Sequence, residues 1–167
     1  MIKAPSLQRL RELFHYDPAT GVFTRLHASG NRRPGPVTAK PDAHGYTYLH
    51  FDGVTYRQHR LAYFYVTGEW PNGPIDHINA ARGVNAMSEI RAVTNAMNNQ
   101  NRRKANRNNS TGVLGVSKKV WKGRVVGFAA RICIDSKLKN LGTFRTKAEA
   151  HAVYVAAKRE YHPGNTL

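Results

Sequence analysis

Residues 100–112, QNRRKANRNNSTG, contain one apolar residue, Ala105. A stretch of that kind has no hydrophobic face to bury, so no single core can run through it. The 167-residue chain is therefore expected to form two small units on either side of a polar linker. Hydrophobic residues make up 41% of the chain, enough for each side to build a core.

The charge is divided unevenly across that linker. The chain holds 26 Lys and Arg against 10 Asp and Glu, a net +16. Residues 101–167 carry 15 basic and 3 acidic side chains, whereas residues 1–100 carry 11 and 7. Such an excess points to a polyanionic partner, nucleic acid before an anionic membrane surface. No apolar run approaches the roughly 20 residues that span a bilayer. The start, MIKAPSLQRLRELF, lacks the basic-then-apolar order of a secretory signal. A soluble, intracellular chain is expected. The single Cys133 excludes an internal disulfide and a several-Cys zinc site.

Periodicity gives a coarse α+β reading. Residues 5–15 place Leu7, Leu10, Leu13 and Phe14 at helical spacing, and YDPATGVF reads as a turn into a short strand. Residues 28–44 read as a loop. YTYLHFDGVTYRQ alternates around Asp52-Gly53, a hairpin signal. Residues 59–67 suit a helix ending at Gly68, and 75–92 a small hairpin. Thr94 suits the N-cap of a helix through about Arg103. Three strands follow, roughly 113–119, 125–134 and 138–143. In the middle one Phe128, Ala130, Ile132 and Ile134 share a face, with Ala129, Arg131 and Cys133 on the other. Thr146 and Glu149 form a capping box for a helix to about Tyr161, with Ala150, Tyr154 and Ala157 inward and Pro163 as the stop. The order βββα makes an antiparallel sheet with a helix across one face and the other face open. The boundaries read as a lead-in over 1–44, a module over 45–103, the linker over 104–112 and the βββα unit over 113–161.

Candidate chemistry concentrates between His59 and Asn99. Asp76 and His77 are adjacent, and Asn98 lies in the first turn of the next expected helix. A hairpin packed on that helix would bring Asp76 and Asn98 together. Two oxygen ligands with waters suit Mg²⁺ or Mn²⁺ rather than a closed zinc cage, and a neighbouring imidazole can deprotonate a water.

The segments HRLAYFYVTGEWP, IDHIN and IRAVTNAMNNQNRR resemble the HNH homing endonucleases, the ββα-metal nucleases common in phages and introns. The resemblance covers about residues 45–103, with LRELFHYDPATGVFT similar to the usual lead-in. Residues 112–159 resemble the plant ethylene-responsive-factor (AP-two type) DNA-binding domain. They do so through Gly115-Val116, the strand Ala130-Arg131-Ile132, the run Leu141-Gly142-Thr143-Phe144 and the Ala/Tyr-rich helix. The resemblance implies a ββα-metal HNH nuclease module followed by a βββα DNA-binding module, acting on double-stranded DNA in the cytoplasm of a phage-bearing bacterial host. It implies His77 as general base, Asp76 and Asn98 as ligands of one divalent cation, with Mg²⁺ favoured over Mn²⁺ and no zinc. The products would carry 3′-hydroxyl and 5′-phosphate ends. A monomer would nick one strand, and a homodimer on DNA would cut both.

One position departs from the family pattern: Glu89 stands where the middle Asn normally braces the hairpin loop. An ionised Glu accepts hydrogen bonds and cannot donate them. Glu89 is read as a loop brace, Asn79 and Asn85 as loop-forming residues, and Asn99 as the substitute for Asn98. His59 stays open between lining the site, touching a phosphate and packing. Arg102, Arg103, Lys104 and Arg107 are expected to follow phosphates along the linker. Lys118, Lys119, Lys122, Arg124 and Lys139 are candidate phosphate contacts, and Arg131 a candidate reader of guanine O6 and N7. Trp121 is open between core and base stacking. Two rivals stand beside the nuclease: a catalytically decayed DNA-binding regulator, and a basic RNA-binding protein.

Overall fold

The computed structural model describes residues 5–165. It is a mixed α+β structure with four helices and several small antiparallel sheets among the described residues. The chain divides into two compact units, residues 1–94 and 95–167.

The first unit begins with α1, Leu7–Leu13, capped by the Ser6 hydroxyl, which accepts from the Arg9 amide at 3.3 Å. The sequence places this helix through residue 15, but it stops two residues earlier. Phe14 and His15 pair with Arg25 and Thr24 in a hairpin of β1, Phe14–Asp17, and β2, Val22–Arg25. Asp17 closes the turn by accepting from the Ala19 amide and the Thr20 hydroxyl. The expected 28–44 loop contains a two-residue strand, β3, Gly35–Pro36, on β2. The hairpin expected at Asp52-Gly53 joins β4, Tyr48–Phe51, to β5, Val54–Arg57. Its two turn residues have φ of 49° and 76°, the pair of positive values of a type I′ turn. Then α2, Gln58–Thr67, ends on left-handed Gly68. A second hairpin pairs β6, Ile75–His77, with β7, Ile90–Ala92. The core is aromatic-rich: Phe14, Tyr16, Phe23, Phe51, Tyr56 and Phe64 surround Leu10, Leu49 and Leu61. The ring pairs Phe14–Phe51 and Phe51–Tyr56 lie 5.6 and 5.1 Å apart, in the favourable range for edge and tilted contacts.

The second unit begins with α3, Asn95–Gln100. This helix is three residues shorter than expected, because after Met97 no apolar side chain follows until Ala105. A three-stranded antiparallel sheet has the order β10-β9-β8. Its strands are β8, Val116–Trp121, β9, Arg124–Ile134, and β10, Lys137–Phe144, followed by α4, Lys147–Tyr161. The first strand begins later than the expected residue 113, because Gly115 turns the chain with φ 76° directly against the Tyr154 ring. Thr146 and Glu149 form the expected capping box on α4. Val116, Ala130 and Ile132 pack on Ala150, Tyr154 and Ala157. Residues 104–112 are not wholly a linker. Asn109 donates to the Val113 and Val116 carbonyls, and the buried Thr111 hydroxyl bonds Val116. Polar side chains thus do the tethering that apolar ones do elsewhere. No helix among the described residues is long and apolar enough to cross a membrane.

Candidate functional site

The site of the first unit is a buried polar cluster at the meeting of β6, α2 and the loop 83–87. All three residues of β6 are buried, Asp76 at 8% and His77 at 4% exposure. Neighbouring strand positions send the two side chains to opposite faces. The Asp76 carboxylate meets Arg91, directly across the ladder, at 3.1 Å from Nη2. The His77 ring meets Asn85, whose Oδ1 lies 3.5 Å from Nε2.

The orientation of that ring is set by a chain of amides. Gln58, the first residue of α2, donates through Nε2 to the Tyr48 carbonyl, which turns its Oε1 inward. Asn85 Nδ2 donates to that Oε1 at 3.3 Å and to the Thr47 hydroxyl at 2.9 Å. Asn85 Oδ1 must then face His77, and it can only accept. An Nε2–H tautomer of His77 would donate to that oxygen. The loop is held from outside by the lead-in hairpin. The Tyr16 hydroxyl donates to the Asn85 carbonyl at 2.7 Å, and the Met87 amide donates to the Pro18 carbonyl at 2.8 Å. Gly21 makes this approach possible: a Cβ there would lie 2.3 Å from the Ala86 nitrogen, at a φ of 75°.

His59 is the second imidazole of the cluster. It is 3% exposed, its ring stands edge-on to His77 at 5.0 Å, and its Nδ1 has no hydrogen-bond partner. Burial, then the neighbouring His77, push its pKa down to about 3, so His59 is neutral. Burial also lowers the pKa of His77, against the Asn85 hydrogen bond and Asp76, which raise it. His77 is therefore neutral at neutral pH, the state a general base requires. Tyr46 covers both rings, at 5.2 Å from His59 and 6.1 Å from His77. It is fixed by Asp42, which accepts from the Tyr46 amide and the Tyr48 hydroxyl. The guanidinium groups of Arg57 and Arg82 stack on Tyr46 at 4.4 and 5.0 Å, bringing cationic character beside the histidines.

The first unit thus brings together His77, Asn85 and His59, with Asp76 beside them on β6. Asn98 and Asn99 belong to the second unit, where both are exposed on α3. The side-chain brace of the loop is Asn85, while Glu89 acts through its main chain, accepting from the Ile78 amide and donating to the Ala86 carbonyl. The reason is position: Asn85 sits in the loop below His77, whereas Glu89 ends a 3₁₀ turn running into β7. Gln58, Thr47, Tyr46, Arg57, Arg82 and Arg91 carried no local signal and were missed. Their partners lie far along the chain.

The motif resemblance read in the sequence implies a divalent cation. Among the described residues no group of three or more His, Cys, Asp and Glu side chains could hold one. Magnesium commonly uses one or two carboxylates and completes its shell with water and substrate phosphate. Asp76 fits that chemistry by type, and Arg91 is the cation that would have to yield there.

The second unit presents the basic residues. The ladders put Lys119 and Arg131 on the face away from α4, with Ser117, Leu138 and Asn140. Lys118 and Lys139 pair with Phe128 and Ile132 and so share the helix-bearing face. Lys139 lies 5.7 Å from the Tyr161 ring of α4. Ala129, expected on the open face, is 4% exposed beneath its cross-strand neighbours, while Arg131 and Cys133 are exposed. Lys122 lies in the β8–β9 turn and Arg124 opens β9. Trp121 is 67% exposed and is not core. Arg102, Arg103, Lys104 and Arg107 are all exposed, and the Arg102 carbonyl accepts from the buried Lys158. Comparison with protein-family models, curated proteins and solved structures finds no match to this chain.

Proposed function

We propose that the chain is a metal-dependent DNA endonuclease of the HNH kind, with β6 and β7 read as the hairpin of its catalytic module and β8–β10 with α4 as a βββα duplex-binding module. The observation that carries this reading is the Gln58–Asn85–His77 relay, which orients a neutral, buried imidazole on the strand that also carries Asp76. In the proposed reaction His77 Nδ1 takes a proton from water, and that water attacks the phosphorus. The bond to the 3′ oxygen breaks, leaving 3′-hydroxyl and 5′-phosphate ends. A magnesium or manganese ion held by Asp76 would offset charge on the leaving oxygen; a ligand role for Asn98 rests on the motif resemblance alone. Arg57 and Arg82 supply positive charge near the attacked phosphate. The open sheet face with Arg131 and Lys119, and the linker arginines, bind the duplex and keep it near the site.

The test is nicking of supercoiled plasmid with Mg²⁺, with Mn²⁺ and with a chelator. Metal-dependent nicking that falls about 10²–10⁴-fold in His77→Ala, with DNA retention kept, supports the reading. A second reading, a DNA-binding protein without cleavage, is favoured by the Asp76–Arg91 ion pair, which neutralises the carboxylate the reaction uses. Salt-sensitive DNA retention with no nicking under either metal selects it.

A further inference from the structure

The lead-in hairpin carries a buried cation that the cleavage chemistry does not use. Arg25, the last residue of β2, is 7% exposed. Among the described residues its guanidinium makes no ion pair and no hydrogen bond. Its contact is the face of Phe14, 4.7 Å away and directly opposite in the β1–β2 register. Holding an uncompensated charge out of water is unfavourable. Burial, then the neighbouring Arg32, lower the pKa of Arg25 accordingly.

Beside Arg25 lies a cleft of about 310 Å³, also lined by Arg9, Ser29, Gly30, Arg32 and His50. The one carboxylate in its wall, Asp52, is taken by Arg9 at 3.3 Å. Arg32 is steadied by donating to the His50 carbonyl at 3.3 Å. The cleft therefore keeps a surplus of positive charge on two guanidinium groups, one of them buried and unmatched. Guanidinium forks suit phosphate oxygens, which accept two parallel hydrogen bonds. The volume is at the lower end for small-ligand sites, enough for a phosphate and its nearest substituents.

We propose that this cleft is a phosphate-binding site, with Arg25 and Arg32 holding the oxyanion and Arg9 and His50 at its margin. A nucleic-acid backbone phosphate and a free phosphate offer the same oxygens, and experiment separates them. The site rests on neither the cleavage reaction nor the second unit, so its failure and the failure of the nuclease reading are separate results.

The test is thermal unfolding of the full chain against inorganic phosphate, with chloride keeping the ionic strength constant. The midpoint of the first unit should rise saturably, by roughly 5–10 °C at ten times the dissociation constant. Arg32→Gln, at an exposed position, should weaken the effect at least tenfold. Arg25→Met should abolish it and raise the midpoint without phosphate, because it removes an unmatched buried charge. If Arg25→Met does not fold, Arg32→Gln alone decides. No rise in the wild type overturns the proposal. So does an equal rise in the variants, which general exclusion of phosphate from protein surface would produce. A short DNA duplex then identifies the source. If inorganic phosphate and Arg32→Gln both weaken its retention, the ligand is a backbone phosphate. If retention is unchanged while the phosphate shift persists, the ligand is a free phosphate.

Discussion

The two units put their polar residues to opposite uses. The first buries Gln58, His59, Asp76, His77 and Asn85 among aromatic side chains, and carries 11 basic against 7 acidic residues. The second fills its core largely with alanine and β-branched residues, and leaves 15 basic side chains against 3 acidic, most of them in solvent. Buried polar groups have shifted protonation and fixed orientation, which chemistry requires. Exposed charges act at a distance and are screened by salt, which suits capture of a polyanion. The contrast separates two chemistries: oriented, neutral polar groups in the first unit and exposed positive charge in the second.

The largest break in that contrast comes from Gly21→Ala. The new methyl would overlap the backbone at Asn85 and Ala86, at a φ that alanine disfavours. The first unit should lose about 3–5 kcal/mol, read as a drop in its denaturation midpoint with the second unit's transition unmoved. A matched drop in both would show that the units do not unfold independently.

Asn85→Ala should cost about 2–3 kcal/mol, because Gln58 and Thr47 lose a buried partner. It should also move the acid limb of the proposed cleavage's pH profile. The Asn85 bond raises the His77 pKa, so its loss lets burial act more fully, and the limb shifts to lower pH while the rate falls. An unchanged profile would remove Asn85 from the site.

A pH titration of stability sharpens the same point. His59 has a folded pKa of about 3 against an ordinary 6.5. The unfolded chain therefore binds its proton first as pH falls. The stability is fully present above pH 6.5 and is lost on going from 6.5 toward 3, by about 1.4 kcal/mol per pH unit for this group. His59→Phe should flatten that slope by about one proton in chemical denaturation between pH 4 and 6. An unchanged slope would mean that His59 is not held neutral by burial.

The smallest effect belongs to the second unit. Trp121→Ala should change its stability by less than about 0.5 kcal/mol, since the ring is mostly in solvent. A loss of DNA retention with no loss of stability would mark the ring as a contact.

What the sequence disclosed was mostly local. The Asp52-Gly53 turn and the Thr146–Glu149 capping box are each written within a few residues, and both stand in the structure. The α1 helix was overextended because Phe14 satisfies a helical spacing as well as a strand pairing, and only the distant Arg25 resolves the choice. Asn85 reads from the sequence as a loop residue and candidate support of the site, without the partners it holds. The partners that define its role, Thr47 and Gln58, lie 38 and 27 positions away. Arg91 escaped because its meaning depends on strand register with Asp76. Arg25 escaped because a basic residue in a short strand reads as solvated until its burial is known.

The most direct measurement is ¹⁵N NMR of the His77 imidazole across a pH titration. The account predicts an Nε2-protonated tautomer with a pKa below 6.5. An Nδ1-protonated ring, or a pKa above 6.5, would contradict it, because the relay from Gln58 through Asn85 would then not be setting the proton on His77.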